Sequence, residues 1–287
     1  MFPCGPLPMT PTALDLPLAA GSLRALRYGA ARAPLVLCVH GLSANAHSFG
    51  AIAPALAALG YQVVAVDLRG RGHSSHGAPG SYGWPHHAQD VLAAASALGA
   101  ERFGLVGHSM GAYVSLALLG RAAERVERVA LIDALSPPEP RALGPIGAGV
   151  RRLEQVFPSA DAYVAAIRGG GAVSPWDEVW ERHYRYELRE VPGGVRARTD
   201  VAAVREDLEY GKRHDARSYW SAVRAPALAL RAARGVGPEH GAVLSAADFA
   251  QFGREVPHAR RVEVDANHYG IMTHPDTVAA LRELFAR

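Results

Sequence analysis

The pentapeptide Gly107-His108-Ser109-Met110-Gly111 narrows what this chain can fold into more than any other stretch. It follows the apolar, strand-like run Phe103 to Val106 and precedes Ala112 to Leu119, a run of helical character. A serine held in a tight turn between strand and helix sits at strained backbone angles, so the residues two before and two after it must be small for the chains to pass. Gly107 and Gly111 supply that clearance, and the pattern G-x-S-x-G in this context predicts a serine nucleophile at Ser109.

The alternation of strand and helix recurs along the chain. Asp15 to Leu18 and Leu23 to Tyr28 flank a small break at Ala19 to Ser22 and predict an opening antiparallel hairpin. Leu35 to Val39 is a continuous apolar run ending at His40-Gly41, as expected of a strand buried on both faces. Phe49 to Leu59 has helical spacing and closes at Gly60; Gln62 to Val66 follows as a strand, and Ala88 to Leu98 as a helix stopped by Gly99. Arg128 to Ile132 is a strand with Asp133 at its end, Ala227 to Arg231 and Arg261 to Asp265 are further strands, and Asp276 to Phe285 is a closing helix. This order argues for crossover units and a largely parallel sheet.

Between Pro137 and Val223 the alternation lapses into a proline-rich start, the run Gly169-Gly170-Gly171, and the amphipathic stretches Leu153 to Ile167 and Trp176 to Leu188. The segment reads as an inserted helical cap. Its aromatic residues Trp176, Trp180, Tyr184 and Tyr186 either build the cap's own core or face a substrate cavity, with Trp176 and Trp180 the candidate substrate-binding residues.

A chain of 287 residues that is 49% hydrophobic and 20% charged is long enough to bury a full core and is globular in composition. The net charge of +3 comes from scattered arginines, with Lys212 the one lysine and no long run of like charges. The charge therefore describes a solvated surface, not a nucleic-acid interface. Cys4 and Cys38 are too few for a disulfide framework, and Cys38 sits within an apolar strand, so a reducing compartment is favoured. Met1 to Pro11 carries no basic leader segment and no apolar run reaches membrane-spanning length; the expectation is a cytoplasmic protein with no membrane association. Its oligomeric state is left open.

A serine needs a general base, and the base needs a carboxylate to hold its tautomer. Of the 13 histidines, His268 is the best placed, directly after the strand Arg261 to Asp265 and before the last helix. His108 lies inside the turn and points elsewhere, and His86, His87 and His274 read as surface residues in polar loops. The chain order serine, carboxylate, histidine supports His268 as the base. A tetrahedral intermediate also needs two backbone donors, each worth about 3 kcal/mol. Met110 N–H, free at the start of a helix, is one; Leu42 N–H, just after His40-Gly41, is the other.

His40-Gly41, the stretch Asp67-Leu-Arg-Gly-Arg-Gly-His-Ser74, the Gly107 to Gly111 turn and Ala266-Asn267-His268 together resemble the α/β-hydrolase superfamily, from about Asp15 to Phe285. The resemblance implies an α/β fold with an eight-stranded, mostly parallel sheet, residues 1–136 and 224–287 forming the core and 137–223 a helical cap. It implies hydrolysis of a small carbonyl substrate through an acyl-enzyme, with Ser109 as nucleophile and His268 as base, and with neither metal nor organic cofactor. The Asp67 to Ser74 stretch is read as fixing a loop, without a chemical role. Haloalkane dehalogenases and epoxide hydrolases are similar but use an aspartate where Ser109 stands. Carboxylic ester hydrolysis is the broadest reading; lactonase, amidase, carbon–carbon bond hydrolase or haloperoxidase-like chemistry, or a non-catalytic ligand-binding receptor, are the alternatives. Most of these relatives take the triad acid from the loop after the seventh strand, where this chain has Glu239 as its carboxylate; a minority take it from the end of the sixth, where Asp133 stands. Neighbouring strands lie about 4.8 Å apart, so Asp133 can reach an imidazole that also reaches Ser109, and it is favoured over Glu239.

Overall fold

The continuous apolar runs form the middle of one sheet, because successive side chains on a strand point to opposite faces and both faces here must be covered. A computed structural model describes residues 10–19, 21–236 and 241–286. Strands β1 (Thr12–Pro17), β2 (Ser22–Tyr28), β3 (Leu35–Val39), β4 (Gln62–Val66), β5 (Phe103–His108) and β6 (Val126–Ile132) come from the first half of the chain. With them alternate helices α1 (Ile52–Ala57), α2 (Trp84–Ala97) and α3 (Met110–Ala122). After a long excursion, α8 (Ala246–Glu255) follows β9 (Ala227–Ala232), and α9 (Pro275–Phe285) follows β10 (Arg260–Val264). The eight-stranded sheet has the order β1-β2-β4-β3-β5-β6-β9-β10. β1, β2 and β4 pair antiparallel and the remaining neighbours pair parallel.

The period-two alternation sorts the core into layers. Leu35, Leu37, Val39 and Leu105 belong with residues of α2, α3 and α8, whereas Val36, Cys38 and Val106 belong with residues of α1 and α9. Each fully buried Leu or Val contributes roughly 1.5–3 kcal/mol against exposure, so a one-residue slip of a central strand is prohibitive.

Between β6 and β9 the chain leaves the sheet and forms α4 (Leu143–Arg152), α5 (Ala160–Gly169), α6 (Glu178–Tyr186), the hairpin β7 (Leu188–Val191) and β8 (Gly194–Ala197), and α7 (Val201–Arg213). The hairpin is absent from the sequence reading, since Leu188-Arg-Glu-Val191 and Gly194-Val-Arg-Ala197 are short, charged runs with little apolar signal. The stretch Leu153 to Ile167, read as one amphipathic unit, is broken: α4 ends at Arg152, Phe157 bridges to Val195, and Ser159 caps α5 by accepting the Ala162 N–H at 3.1 Å. Asp177 likewise starts α6 by accepting from the Val179 and Trp180 amides. The last stretch of the excursion, Ala216–Ala222, returns to the sheet layers, where Trp220 Nε1 donates to the Leu135 carbonyl at 3.0 Å.

Candidate active site

Parallel strands end on the same edge, and side chains at that edge meet across neighbouring strands. Ser109 stands between β5 and α3 with φ 55°, ψ −126°, the strained turn that the glycines anticipate. A Cβ on Gly111 would lie 1.9 Å from the Val39 carbonyl oxygen, and one on Gly107 would lie 2.3 Å from the Gly111 oxygen; only glycine lets the three segments pass. The Ser109 amide itself donates to the Ile132 carbonyl at 2.9 Å, which ties the turn to the adjacent strand.

His268, after β10, brings Nε2 to 3.0 Å from Ser109 Oγ and Nδ1 to 2.7 Å from Asp133 Oδ2. A carboxylate at Nδ1 selects the tautomer with the proton there, leaving Nε2 to accept from the serine hydroxyl. Asp133, just past β6, has φ 53° and is held by two further bonds: its amide donates to the Leu230 carbonyl at 2.8 Å and its Oδ1 accepts from the Ala232 amide at 2.9 Å. Burial pushes its carboxyl above the ordinary carboxylate range, and the bonds from His268 and Ala232 oppose that push. Glu239, the other carboxylate considered from sequence, lies outside the described residues, as does Cys4.

Met110 begins α3, so its N–H has no acceptor within the helix. Leu42 follows His40-Gly41, where His40 Nδ1 donates to the Gly41 carbonyl at 2.7 Å and its Nε2 accepts from Leu68 N–H at 2.9 Å. Burial lowers the His40 imidazole to about 3, so the ring stays neutral and keeps this arrangement. In a trans peptide the N–H lies opposite its C=O; with the Gly41 oxygen claimed by His40, the Leu42 N–H faces the other way. The Leu42 carbonyl is held in turn by Arg71 Nε at 2.9 Å.

A cavity of about 480 Å³ opens over Ser109 and is lined among others by Leu42, Arg152, Trp180, Tyr184 and His268. Trp180 therefore reaches the cavity. Trp176 is not among the lining residues and instead stacks on Tyr184, ring centroids 5.7 Å apart, while the Tyr186 hydroxyl donates to Asp67 at 2.7 Å. His108 makes its hydrogen bond to the His268 carbonyl, donating from Nε2 at 3.0 Å, but its ring lies 4.7 Å from that of His268 and lines the same cavity.

Asp67 fixes its loop as the sequence suggests: it accepts from the Ala46 and His73 amides at 2.8 and 2.9 Å, and burial raises its carboxyl to about 6. His86 and His87 stand in α2 and not in a polar loop. His86 is exposed, but His87 is fully buried with Nε2 3.0 Å from both oxygens of Asp207 in α7, which also accepts from Arg71 Nη2 at 2.5 Å. Local polarity gave no sign of this, because the partner lies 120 positions further on. Arg152 was missed for the same kind of reason: nothing in sequence separates it from its exposed neighbour Arg151. Among the described residues no cluster of His, Cys, Asp and Glu could hold a metal ion, and no helix is long and apolar enough to cross a membrane.

Comparison with known proteins agrees with this architecture. Residues 34–275 match the model of the alpha/beta hydrolase fold family. The chain is 32% identical to N-formylmaleamate deformylase of Pseudomonas putida over 226 residues, 73% of this chain and 74% of that protein. It is 36% identical to a serine hydrolase-like protein of Danio rerio over 119 residues, 41% of this chain but only 36% of that protein's length. The crystal structure of E-2-(acetamidomethylene)succinate hydrolase superposes with a TM-score of 0.84 at 25% identity, covering 96% of this chain and 100% of that one.

Proposed function

This chain belongs to the α/β-hydrolase fold family, and on that premise we propose that it is a serine hydrolase that cleaves a carboxylic ester, or a related carbonyl compound, through an acyl-enzyme. The observation that carries this reading is the unbroken hydrogen-bonded line from Ser109 Oγ through His268 to Asp133 at the strained turn. His268 Nε2 takes the proton from Ser109 as Oγ attacks the carbonyl carbon. The N–H groups of Leu42 and Met110 receive the oxyanion, and His268 then returns the proton to the leaving atom as its bond to carbon breaks. Water, deprotonated by His268, attacks the acyl-serine and releases the acid. Asp133 holds the proton on Nδ1 throughout and stabilises the imidazolium. The substrate is a small molecule, as the cavity volume of about 480 Å³ suggests, and its chemical variety is read by the excursion between β6 and β9. The buried free thiol of Cys38 is compatible with action in the cytoplasm.

A second reading, in which the acyl group is taken from nitrogen, is favoured by the relatives: the names N-formylmaleamate deformylase and E-2-(acetamidomethylene)succinate hydrolase both carry an N-acyl group. The two readings share every catalytic step except the leaving atom.

The test is sustained turnover of a short-chain aryl ester and a matched amide by the wild type. Ser109→Ala and His268→Ala should each abolish most of it, and the double variant should be little worse than either, because the groups act as one unit. Losses that multiply independently, or ligand binding without turnover, would overturn the proposal.

A further inference from the structure

The cavity over Ser109 is lined by one guanidinium, that of Arg152 at the end of α4. No carboxylate is among its lining residues, and burial lowers the lining histidines His108 and His183 well below the ordinary imidazole range, so they stay neutral. A guanidinium therefore faces a largely apolar chamber that holds no carboxylate.

Arg152 is held in a way that leaves most of its donors unused. Its guanidinium carbon lies 5.3 Å from the Tyr163 ring and 5.4 Å from the Tyr184 ring, contacts that fix the group without consuming an N–H. Nη1 donates to Glu187 Oε1 at 2.6 Å, and no hydrogen bond from Nε or Nη2 is found among the described residues. Glu187 stands away from the chamber, its side chain 1% exposed against 16% for Arg152. Burial raises that carboxyl to about 7 even beside Arg152, and the Tyr163 hydroxyl also donates to it. Glu187 thus takes one N–H of the guanidinium, and the rest of the fork is left open. A guanidinium offers five N–H groups in a planar fork that matches a carboxylate.

We propose that the cavity takes an acyl compound bearing a second, carboxylate group, and that Arg152 receives that carboxylate. Ile146, Ile167, Val173 and Trp180 would cover the carbon chain between the anion and the reacting carbonyl. The assignment of the carbonyl end rests on the acyl-hydrolase reading above; the anion site does not.

The experiment uses methyl butyrate, monomethyl succinate, which replaces its terminal methyl by a carboxylate, and acetoxyacetate, which carries the carboxylate on the alcohol side. Calorimetric titration of the Ser109→Ala protein should give at least one anionic ester about tenfold or more tighter than methyl butyrate. Adding Arg152→Met should erase that preference, and Arg152→Lys should keep part of it. The pair Arg152→Met with Glu187→Gln strands no buried carboxyl and should lose the preference equally. Equal affinity for neutral and anionic esters, or a preference that survives Arg152→Met in folded protein, overturns the proposal. Turnover of the same esters by the wild type separates the two readings: anion-dependent binding without any hydrolysis would sink the hydrolase reading alone, whereas hydrolysis without an anionic preference would sink this one.

Discussion

Asp133 Oδ2 lies 2.7 Å from His268 Nδ1, although 135 positions separate the two residues in the chain. The contact exists because β6 and β5 pair in register, His108 opposite Ile132, so that the residues following each strand emerge side by side at one edge. β9 and β10 then carry His268 back to the same edge. Asp133→Asn should lower kcat about 10⁴-fold by permitting the wrong tautomer, with little change in folding. Glu239→Gln should change kcat little. Steady-state kinetics on both variants decide the matter, and the reverse pattern would move the acid to Glu239.

Trp180 lines the cavity and Trp176 does not, and this contrast is measurable. Trp180→Ala should alter the ratio of kcat/KM between long and short acyl groups by about tenfold, the scale on which a pocket discriminates a few methylenes. Trp176→Ala removes a ring stacked on Tyr184 and should lower the melting temperature with a smaller effect on that ratio. Unchanged ratios for both would make these residues packing elements only.

Asp207 joins α7 to the loop after β4 through Arg71 and to the start of α2 through His87 and the Gly83 amide. Burial works to raise its carboxyl, but the His87 hydrogen bond and the nearby charges outweigh that and hold it at about 2. Asp207→Ala leaves Arg71 buried without its counter-charge and should cost about 3–5 kcal/mol in denaturant unfolding. Because Arg71 also holds the Leu42 carbonyl, Arg71→Lys should lower kcat more than it raises KM. A loss confined to stability would show that the Leu42 contact is incidental.

Glu187 predicts a pH dependence of stability. Its folded carboxyl titrates near 7, above the unfolded value of about 4.3, so the folded state keeps a proton that the unfolded chain has released. The contribution is fully present below the unfolded value and is lost as pH rises through about 7. Glu187→Gln should therefore gain on the wild type by a few degrees of melting temperature between pH 5 and pH 9. A constant difference across that range would contradict the assignment.

The features that the sequence alone determined are those written within a few residues of one another. The glycines around Ser109, the apolar runs of β3, β4 and β5, and the stop signals at Gly60 and Gly99 act through local sterics and burial period, so sheet class and the strained turn at Ser109 are legible without a structure. His268 was legible for a related reason: it stands directly past a strand end, where side chains converge.

Tertiary structure alone decided which distant groups meet. Asp133 and Glu239 both follow strands in sequence, and only the sheet order brings Asp133 within 2.7 Å of His268. The burial of His87 against Asp207, the β7 and β8 hairpin, and the pairing of Arg152 with Glu187 were likewise illegible. Their residues are charged or short-patterned, and a charge reads as solvated until a partner desolvates it. Periodicity records how much surface a segment buries, but not which opposite charge it is buried against; that is set by the packing of whole elements.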